Sequence, residues 1–387
     1  MNQLNTLCLA GLSAMLAGCV GVRYEPFETT GDAVQDGIRL AARAPQKDRV
    51  MWNYRTAAVA LRSARFEDAK RLLDDCIGTI EGIYGPDKMA KSARTYVGKE
   101  SSKTFIGEPY ERVMAYFYRG ILYWMDGEPD NARACFRSAQ VHDADAEDNS
   151  YASDYVLLDY LDGYASAKLS TDGSDALKRA RANTAQGPLP DYDKSANVLV
   201  FVEYGNGPIK VAAGQYRQKL RFREGHSPNQ SAAISIASKT AQAEPLDDLY
   251  YQATTRGARV IDHILAGQAK FRRSTDKVGN AAIITGAILA NQQGRKSSAD
   301  EIGAGLLLFG LASKLISSAT NPRADTRAWD NLPRYLSFAA FRVPPGEHEL
   351  TAEFKDGAGQ IRRKKTLSIS LPAASKDVVV FVSDKMN

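Results

Sequence analysis

Apolar residues recur at helical spacing through most of the first half of the chain. The pattern predicts a pair of amphipathic helices over residues 48–84 and a second pair over residues 110–143. In the second pair, Gly120 is small enough to let two helices approach closely. A third pair with a weaker pattern spans residues 151–185. We therefore expect a helical domain over residues 37–187.

From residue 188 the pattern changes to short apolar runs separated by turns rich in proline and glycine. These runs are typical of strands in an antiparallel β-sandwich. The simplest arrangement pairs strands within residues 198–222 with strands within residues 335–383. Residues 231–323 are then a helical, Gly/Ala-rich insertion in a β-domain that spans residues 188–387. The predicted fold class is α+β, with helical hairpins followed by an antiparallel β-sandwich-like domain.

Two stretches of the predicted insertion, residues 278–290 and 302–316, are apolar on all sides. Both are shorter than the roughly 20 residues that a membrane span requires. Three interpretations of the 278–316 segment stay open. It could be a buried helical hairpin, a surface that packs against a second copy or a partner protein, or a membrane-inserting segment, although Lys314 counts against the last.

The first nineteen residues carry no charged side chain and end in Leu16-Ala17-Gly18-Cys19. This ending resembles the lipobox of bacterial lipoproteins, in which the cysteine thiol is alkylated by a diacylglyceryl group and becomes the new N-terminus. The resemblance implies a signal peptide over residues 1–18, a lipid-attachment site at Cys19 and a tether over residues 19–36. More than one acyl chain, such as palmitate, gives stable membrane attachment. Val20 follows the cysteine, and enterobacterial lipoproteins without Asp at that position are sorted to the outer membrane. We expect this location, facing the periplasm, and the leaflet stays open.

Composition and motifs favour binding over catalysis. The net charge of +5 is small for 387 residues, so the sequence does not predict a nucleic-acid partner. Its four histidines form no metal-binding motif, and no nucleophile elbow or phosphate-binding loop occurs, so we expect no metal, no cofactor and no enzymatic activity. In the mature chain Cys76 and Cys135 remain, either as a disulfide or as two buried free thiols.

Several stretches together resemble a little-characterised family of bacterial lipoproteins with tetratricopeptide-like helices. Besides the lipobox, they are Phe105-x-Gly107-Glu108-x-Tyr110-Glu111-Arg112, the strand and turn of residues 198–208, and Asp325-Thr326-Arg327-x-Trp329 with the prolines and glycine that follow. Members of this family have no assigned activity and accompany lipoproteins that activate peptidoglycan synthases. The resemblance implies a protein partner in the cell envelope, with the cited polar and aromatic residues as partner-binding or structural positions.

Three functional hypotheses follow. The first is a lipid-anchored cell-envelope scaffold that binds a protein partner through its helical repeats, in envelope or peptidoglycan assembly. The second is a component of a secretion or assembly complex that uses the 278–316 segment for homo-oligomerisation or membrane contact. The third and weakest is a cell-wall enzyme acting through Glu108 and Glu111, although carboxylates are also expected in the first turn of a helix.

Overall fold

The computed structural model describes residues 27–83, 103–144, 153–184, 189–255, 323–373 and 376–386. Over these stretches the chain forms eight α-helices and ten β-strands, so the predicted α+β class is confirmed. The predicted signal peptide, the predicted lipid-attachment site Cys19 and the apolar 278–316 segment lie outside the described residues. No helix in the described stretches is long and apolar enough to cross a membrane.

Seven of the described helices lie in the first half of the chain, and each packs against the next one described. They are α1 (Ala33–Arg43), α2 (Arg49–Arg62), α3 (Phe66–Ile83), α4 (Pro109–Met125), α5 (Pro129–Asp143), α6 (Val156–Lys168) and α7 (Ser174–Asn183), with a short 3₁₀ helix (Gln46–Asp48) before α2. Every residue of α4 from Pro109 to Leu122 is buried, because neighbouring helices and the sheet surround it. A Cβ atom at Gly120 would lie 2.6 Å from the Phe136 ring of α5, so the close approach of these two helices depends on glycine.

The strands form two four-stranded sheets and a separate hairpin. The strands are β1 (Val198–Tyr204), β2 (Ile209–Ala213), β3 (Lys219–Arg223), β4 (Ser231–Ile236), β5 (Lys239–Ala243), β6 (Asp247–Asp248), β7 (Tyr335–Phe341), β8 (Gly346–Lys355), β9 (Ile361–Leu371) and β10 (Val378–Ser383), and helix α8 (Leu249–Thr255) follows β6. The first sheet has the order β10-β1-β7-β6, and the second has the order β5-β4-β8-β9. The hairpin consists of β2 and β3.

Strand β1 is buried on both faces and lies between β10 and β7 in the first sheet. Leu199 and Phe201 point to the helices and belong to the larger hydrophobic core. Val200 and Val202 point the other way and pack with residues of the second sheet in a second core. The first sheet is therefore a middle layer between the helices and the second sheet.

Strand β1 pairs with β7 and β10, in agreement with the predicted pairing of strands within residues 198–222 with strands within residues 335–383. Other details of the predicted arrangement are wrong. Strands β1 and β10 run parallel, so the first sheet is mixed and not purely antiparallel, and β2 and β3 pair with each other. A near-continuous apolar run indicates a strand that is buried on both faces, but it does not identify the strands with which it pairs. Residues 231–248, predicted as the start of the helical insertion, form β4, β5 and β6 instead. Their alanine-rich sequence favours a helix in isolation, but pairing with β7 and β8 overrides that preference.

Cys76 and Cys135 are both free thiols in the structure. Cys76 is buried in α3, where burial raises its pKa well above the usual value. Cys135 is partly exposed on α5, and burial raises its pKa to about 11.

Candidate functional site

The sequence around residues 105–112 forms a tight turn that leads into α4. Gly107 has a φ of +87°, a conformation that favours glycine, and a Cβ atom there would lie 2.9 Å from the Cβ of Glu111. Pro109 takes the first helical position. The backbone N–H of Glu108 donates to Oε2 of Glu111 at 2.6 Å. The turn therefore holds the Glu111 carboxylate at the N-terminus of α4, where a negative charge is favoured.

The Glu111 side chain is fully buried and accepts hydrogen bonds from three donors. Besides the N–H of Glu108, Lys210 Nζ on β2 donates to Oε2 at 2.6 Å, and the backbone N–H of Trp329 donates to Oε1 at 2.6 Å. Two of these donors come from parts of the chain that are distant in sequence. We call Glu111, Lys210, Arg327 and Trp329 the Glu111 network.

Lys210 connects the hairpin to the segment before β7. Its side chain is only 2% exposed, and its Nζ also donates to the backbone carbonyl of Arg327 at 2.9 Å. The same Nζ lies 5.4 Å from the centre of the Phe105 ring, close enough for a cation–π contact. A buried ammonium group needs such partners, because leaving it unpaired is costly.

Arg327 connects the same segment to the start of α2. It forms ion pairs with Asp325 and Asp48, both at 2.6 Å, and donates to the carbonyls of Lys47 and Lys103. Burial lowers the pKa of Arg327, but the hydrogen bonds from its guanidinium group to the two aspartates outweigh burial and raise it. Arg327 therefore holds together three chain segments, at residues 47–48, residue 103 and residues 325–327.

Trp329 closes the network on its apolar side. Its ring is 1% exposed and stacks on Tyr54 of α2, with centroids 4.2 Å apart and planes at 10°. It also meets Tyr118 of α4 edge to face at 5.8 Å. The Trp329 ring thus packs between α2 and α4. This apolar packing and the hydrogen bond from its backbone N–H to Glu111 together hold the residue in place.

The remaining residues singled out by the sequence surround the same point. Arg112 donates to the Gly107 carbonyl at 2.8 Å and to Nδ1 of His142 at 3.3 Å. Tyr110 is 1% exposed, and Glu108 lies 4.0 Å from Lys210. All seven of these residues, which are Glu108, Tyr110, Glu111, Arg112, Asp325, Arg327 and Trp329, therefore lie at one junction of the helices, the hairpin and the segment before β7.

A second buried ion pair was missed by the sequence reasoning. Glu203 of β1 is 1% exposed, accepts a hydrogen bond at 2.6 Å from Nε of Arg62 in α2, and accepts another from the hydroxyl of Tyr118. Burial raises the pKa of Glu203, but Arg62 and Tyr118 together outweigh it and lower the pKa. Nearby, burial together with Arg62 lowers the pKa of Lys385 to about 8. The one acidic residue within the apolar run of β1 was the available signal.

Both carboxylates are held in ways that suit structural roles. Glu111 and Glu203 each bind a buried cation and further donors, and neither is exposed enough to reach a substrate from solvent. The structure shows no group of three or more side chains suited to a metal ion in the part of the chain that it describes. The geometry supports a junction that orients the layers of the molecule.

Comparison with protein-family models, with curated proteins and with solved structures gave no significant match. The function is therefore inferred from the chain's own sequence and geometry.

Proposed function

We propose that this protein is a non-enzymatic, lipid-anchored scaffold of the bacterial cell envelope that binds a protein partner through its helices. The observation that carries the proposal is the consecutive packing of α1 to α7 into a layer that covers the first sheet with one face. Its other face carries exposed, mostly polar side chains on α3, α5 and α7. Consecutively packed helices that share one core offer an extended surface for another protein.

A finer description of the fold belongs to the same proposal. We infer that the helix pairs α2–α3, α4–α5 and α6–α7 are tetratricopeptide-like hairpins and that the two sheets form a β-sandwich-like domain. Two features support this: Gly120 lies against Phe136 where α4 meets α5, and apolar side chains from both sheets share one core.

The membrane attachment also stands as a proposal, supported by the lipobox resemblance at Cys19. Cells expressing the protein can be grown with labelled palmitate, and the labelled protein followed through separation of inner and outer membranes. We expect label in the wild type, recovery with the outer membrane, and loss of both in Cys19→Ala. A Cys8→Ala variant provides the matched control and should keep the label. Label that persists in Cys19→Ala would refute the anchor.

Partner binding can be tested without disrupting the core. Deleting the helices would expose the first sheet, so we favour a photocrosslinking amino acid at single exposed positions in the intact protein. Positions 71 on α3 and 134 on α5 sample the helical face, and positions 366 and 368 on β9 sample the outer face of the second sheet. We expect the same crosslinked protein from both helical positions and none from β9. Adducts confined to β9 would refute binding through the helices.

The non-enzymatic part rests on the Glu111 network. General acid–base catalysis needs a carboxyl group within hydrogen-bonding reach of a substrate. The Glu111 oxygens are instead occupied by two backbone N–H groups and Lys210. Changing Glu108 and Glu111 together to Gln and assaying purified cell wall tests the enzymatic alternative: loss of a measurable wall-cleaving activity by a variant that remains folded would favour an enzyme.

A further inference from the structure

Three arginines converge on two buried aspartates where α5, α6 and α7 meet. Nε of Arg133 and Nε of Arg137, one helical turn apart on α5, both donate to Oδ1 of Asp162 at 2.9 Å. Arg179 of α7 donates to Oδ1 of Asp159 at 3.0 Å and lies 3.7 Å from Asp162. The aspartates are 2% and 4% exposed, so they form the floor of the cluster and the arginines form its outer surface.

The cluster carries more positive than negative charge. Three guanidinium groups face two carboxylates, which leaves a net charge of +1 if both aspartates are ionised. Lys178, next to Arg179 on α7, pairs with Asp175 at 3.1 Å, and this neighbouring pair does not alter the balance. An acidic ligand would therefore meet a favourable charge.

The arginines also keep unused hydrogen-bond donors. A guanidinium group has five N–H donors. Within the described residues, Arg133 and Arg137 each use only the one on Nε, so their terminal nitrogens have no protein acceptor. The side chains of Arg137 and Arg179 are 58% and 52% exposed. Because Asp162 and Asp159 already hold these side chains in place, a ligand would pay less conformational entropy to bind them.

An exposed apolar side chain lies beside the arginines. Val141 follows Arg137 by four residues on α5, so both lie on the same helix face. Val141 is 71% exposed, the highest exposure among the large hydrophobic residues of the described chain. A surface that joins fixed guanidinium groups to an exposed apolar residue suits a peptide with acidic and apolar side chains.

We propose that the surface formed by Arg133, Arg137, Arg179 and Val141 binds an acidic segment of a protein partner, whose carboxylates accept hydrogen bonds from the terminal guanidinium nitrogens. The inference deepens the proposed function and rests on it, because it names the chemistry of the partner bound by the helices. Carboxylates pair with guanidinium groups in a planar, bidentate geometry, which explains why arginines and not lysines suit this role.

The test uses the purified full chain and a capped peptide of glutamates flanking one leucine, with binding measured by calorimetry at low ionic strength. The variant Arg137→Gln/Arg179→Gln is expected to weaken binding by at least about tenfold, because two charge-assisted donors are lost. The matched control Arg362→Gln/Lys364→Gln removes the same charge from β9, where both side chains are also 58% exposed. The control is expected to bind like the wild type.

Arg137→Gln alone guards against loss of fold, because Asp162 keeps Arg133 as a partner. It should weaken peptide binding while its thermal transition stays at the wild-type temperature. Equal weakening in the β9 control would show a general charge effect and overturn the proposal. Binding of phosphatidylglycerol vesicles that depends on Arg137, with none of the peptide, would assign the surface to a membrane and would also overturn it. If crosslinking to a partner persists in the double arginine variant, the scaffold function stands and only this surface assignment fails.

Discussion

The Glu111 network makes a quantitative prediction about stability. Replacing Glu111 with Gln keeps the size of the side chain but removes its charge and one acceptor. The three donors would then face a single amide oxygen and an NH₂ group, which is itself a donor. Lys210, with a side chain 2% exposed, would be left buried without its carboxylate.

The expected cost follows from that burial. Removing one partner of a buried ion pair costs about 3 to 5 kcal/mol of unfolding free energy, because the remaining charge is left uncompensated. At about 2 °C per kcal/mol for a protein of this size, the thermal midpoint should fall by about 6 to 10 °C.

Urea unfolding and thermal unfolding followed by circular dichroism measure the effect. Glu67→Gln serves as the control, because Glu67 also lies in the first turn of a helix and pairs with a lysine, but its side chain is 88% exposed. The control should change the unfolding free energy by less than about 1 kcal/mol. Adding Lys210→Met to Glu111→Gln should restore much of the loss, since no charge is then left buried.

Two outcomes would contradict this reasoning. One is a Glu111→Gln variant as stable as Glu67→Gln, which would mean that water or another group compensates Lys210. The other is a double variant whose loss of unfolding free energy equals the sum of the losses in Glu111→Gln and Lys210→Met, which would mean that the lysine and the glutamate do not act as a pair.

Three further predictions concern other parts of the same fold. Gly120→Ala should cost about 1 to 3 kcal/mol, measured by urea unfolding, because the new Cβ would lie 2.6 Å from the ring of Phe136; unchanged stability would show that the ring can move. Arg62→Met should lower the unfolding free energy by about 3 to 5 kcal/mol, because it leaves the Glu203 carboxylate buried without its partner. The same change should lower it clearly less in a Glu203→Gln background, and a double-mutant cycle measures the difference. Burial raises the pKa of Asp247 to about 7. Its contribution to stability is therefore present below its unfolded pKa of about 4 and lost as the pH rises to about 7. The unfolding free energy of Asp247→Asn, measured with urea at several pH values across this range, should not show that decrease. A variant with the same dependence on pH as the wild type would refute the role of Asp247.

The helices could be predicted from the sequence because their signal is local. The patterns over residues 48–84 and 110–143 contain α2 to α5 almost to the residue, since apolar side chains at a spacing of 3.6 residues define a buried helix face. The glycine at position 120 could be recognised as a point of close approach for the same reason. Its contact with Phe136 lies within a single helical pair.

Strand pairing could be predicted only in part, because its signal is not local. The sequence predicts that strands within residues 198–222 pair with strands within residues 335–383, as β1 does, but it indicates neither the parallel direction of β1 and β10 nor the separate hairpin of β2 and β3. The apolar runs of β1 and β10 fit any partner in a layer that is buried on two faces. The alanines of β4 and β5 likewise form strands only because β8 pairs with β4 and β4 in turn pairs with β5.

The junction could be predicted in part. Glu111 and Arg327 were singled out by the family resemblance, but the partner of Glu111 is Lys210, which lies 99 residues further along the chain. In the sequence, Lys210 lies between apolar residues of β2, a pattern that indicates an ordinary edge strand. Its contact with α4 becomes visible only in the folded structure. Glu203 was missed because the apolar run of β1 predicts a buried strand whichever residue occupies its sixth position.

The two buried ion pairs have a shared mechanical consequence. Glu203 with Arg62 joins the first sheet to α2, and Glu111 with Lys210 joins α4 to the hairpin. Each pair links residues roughly a hundred or more positions apart, and breaking either one leaves a charge buried, so sliding the helices over the sheet is costly. A scaffold benefits from that rigidity, because a helical surface that is already held in one geometry loses less conformational entropy when a partner binds. The charges in the interior thus support the function proposed for the surface by holding its shape.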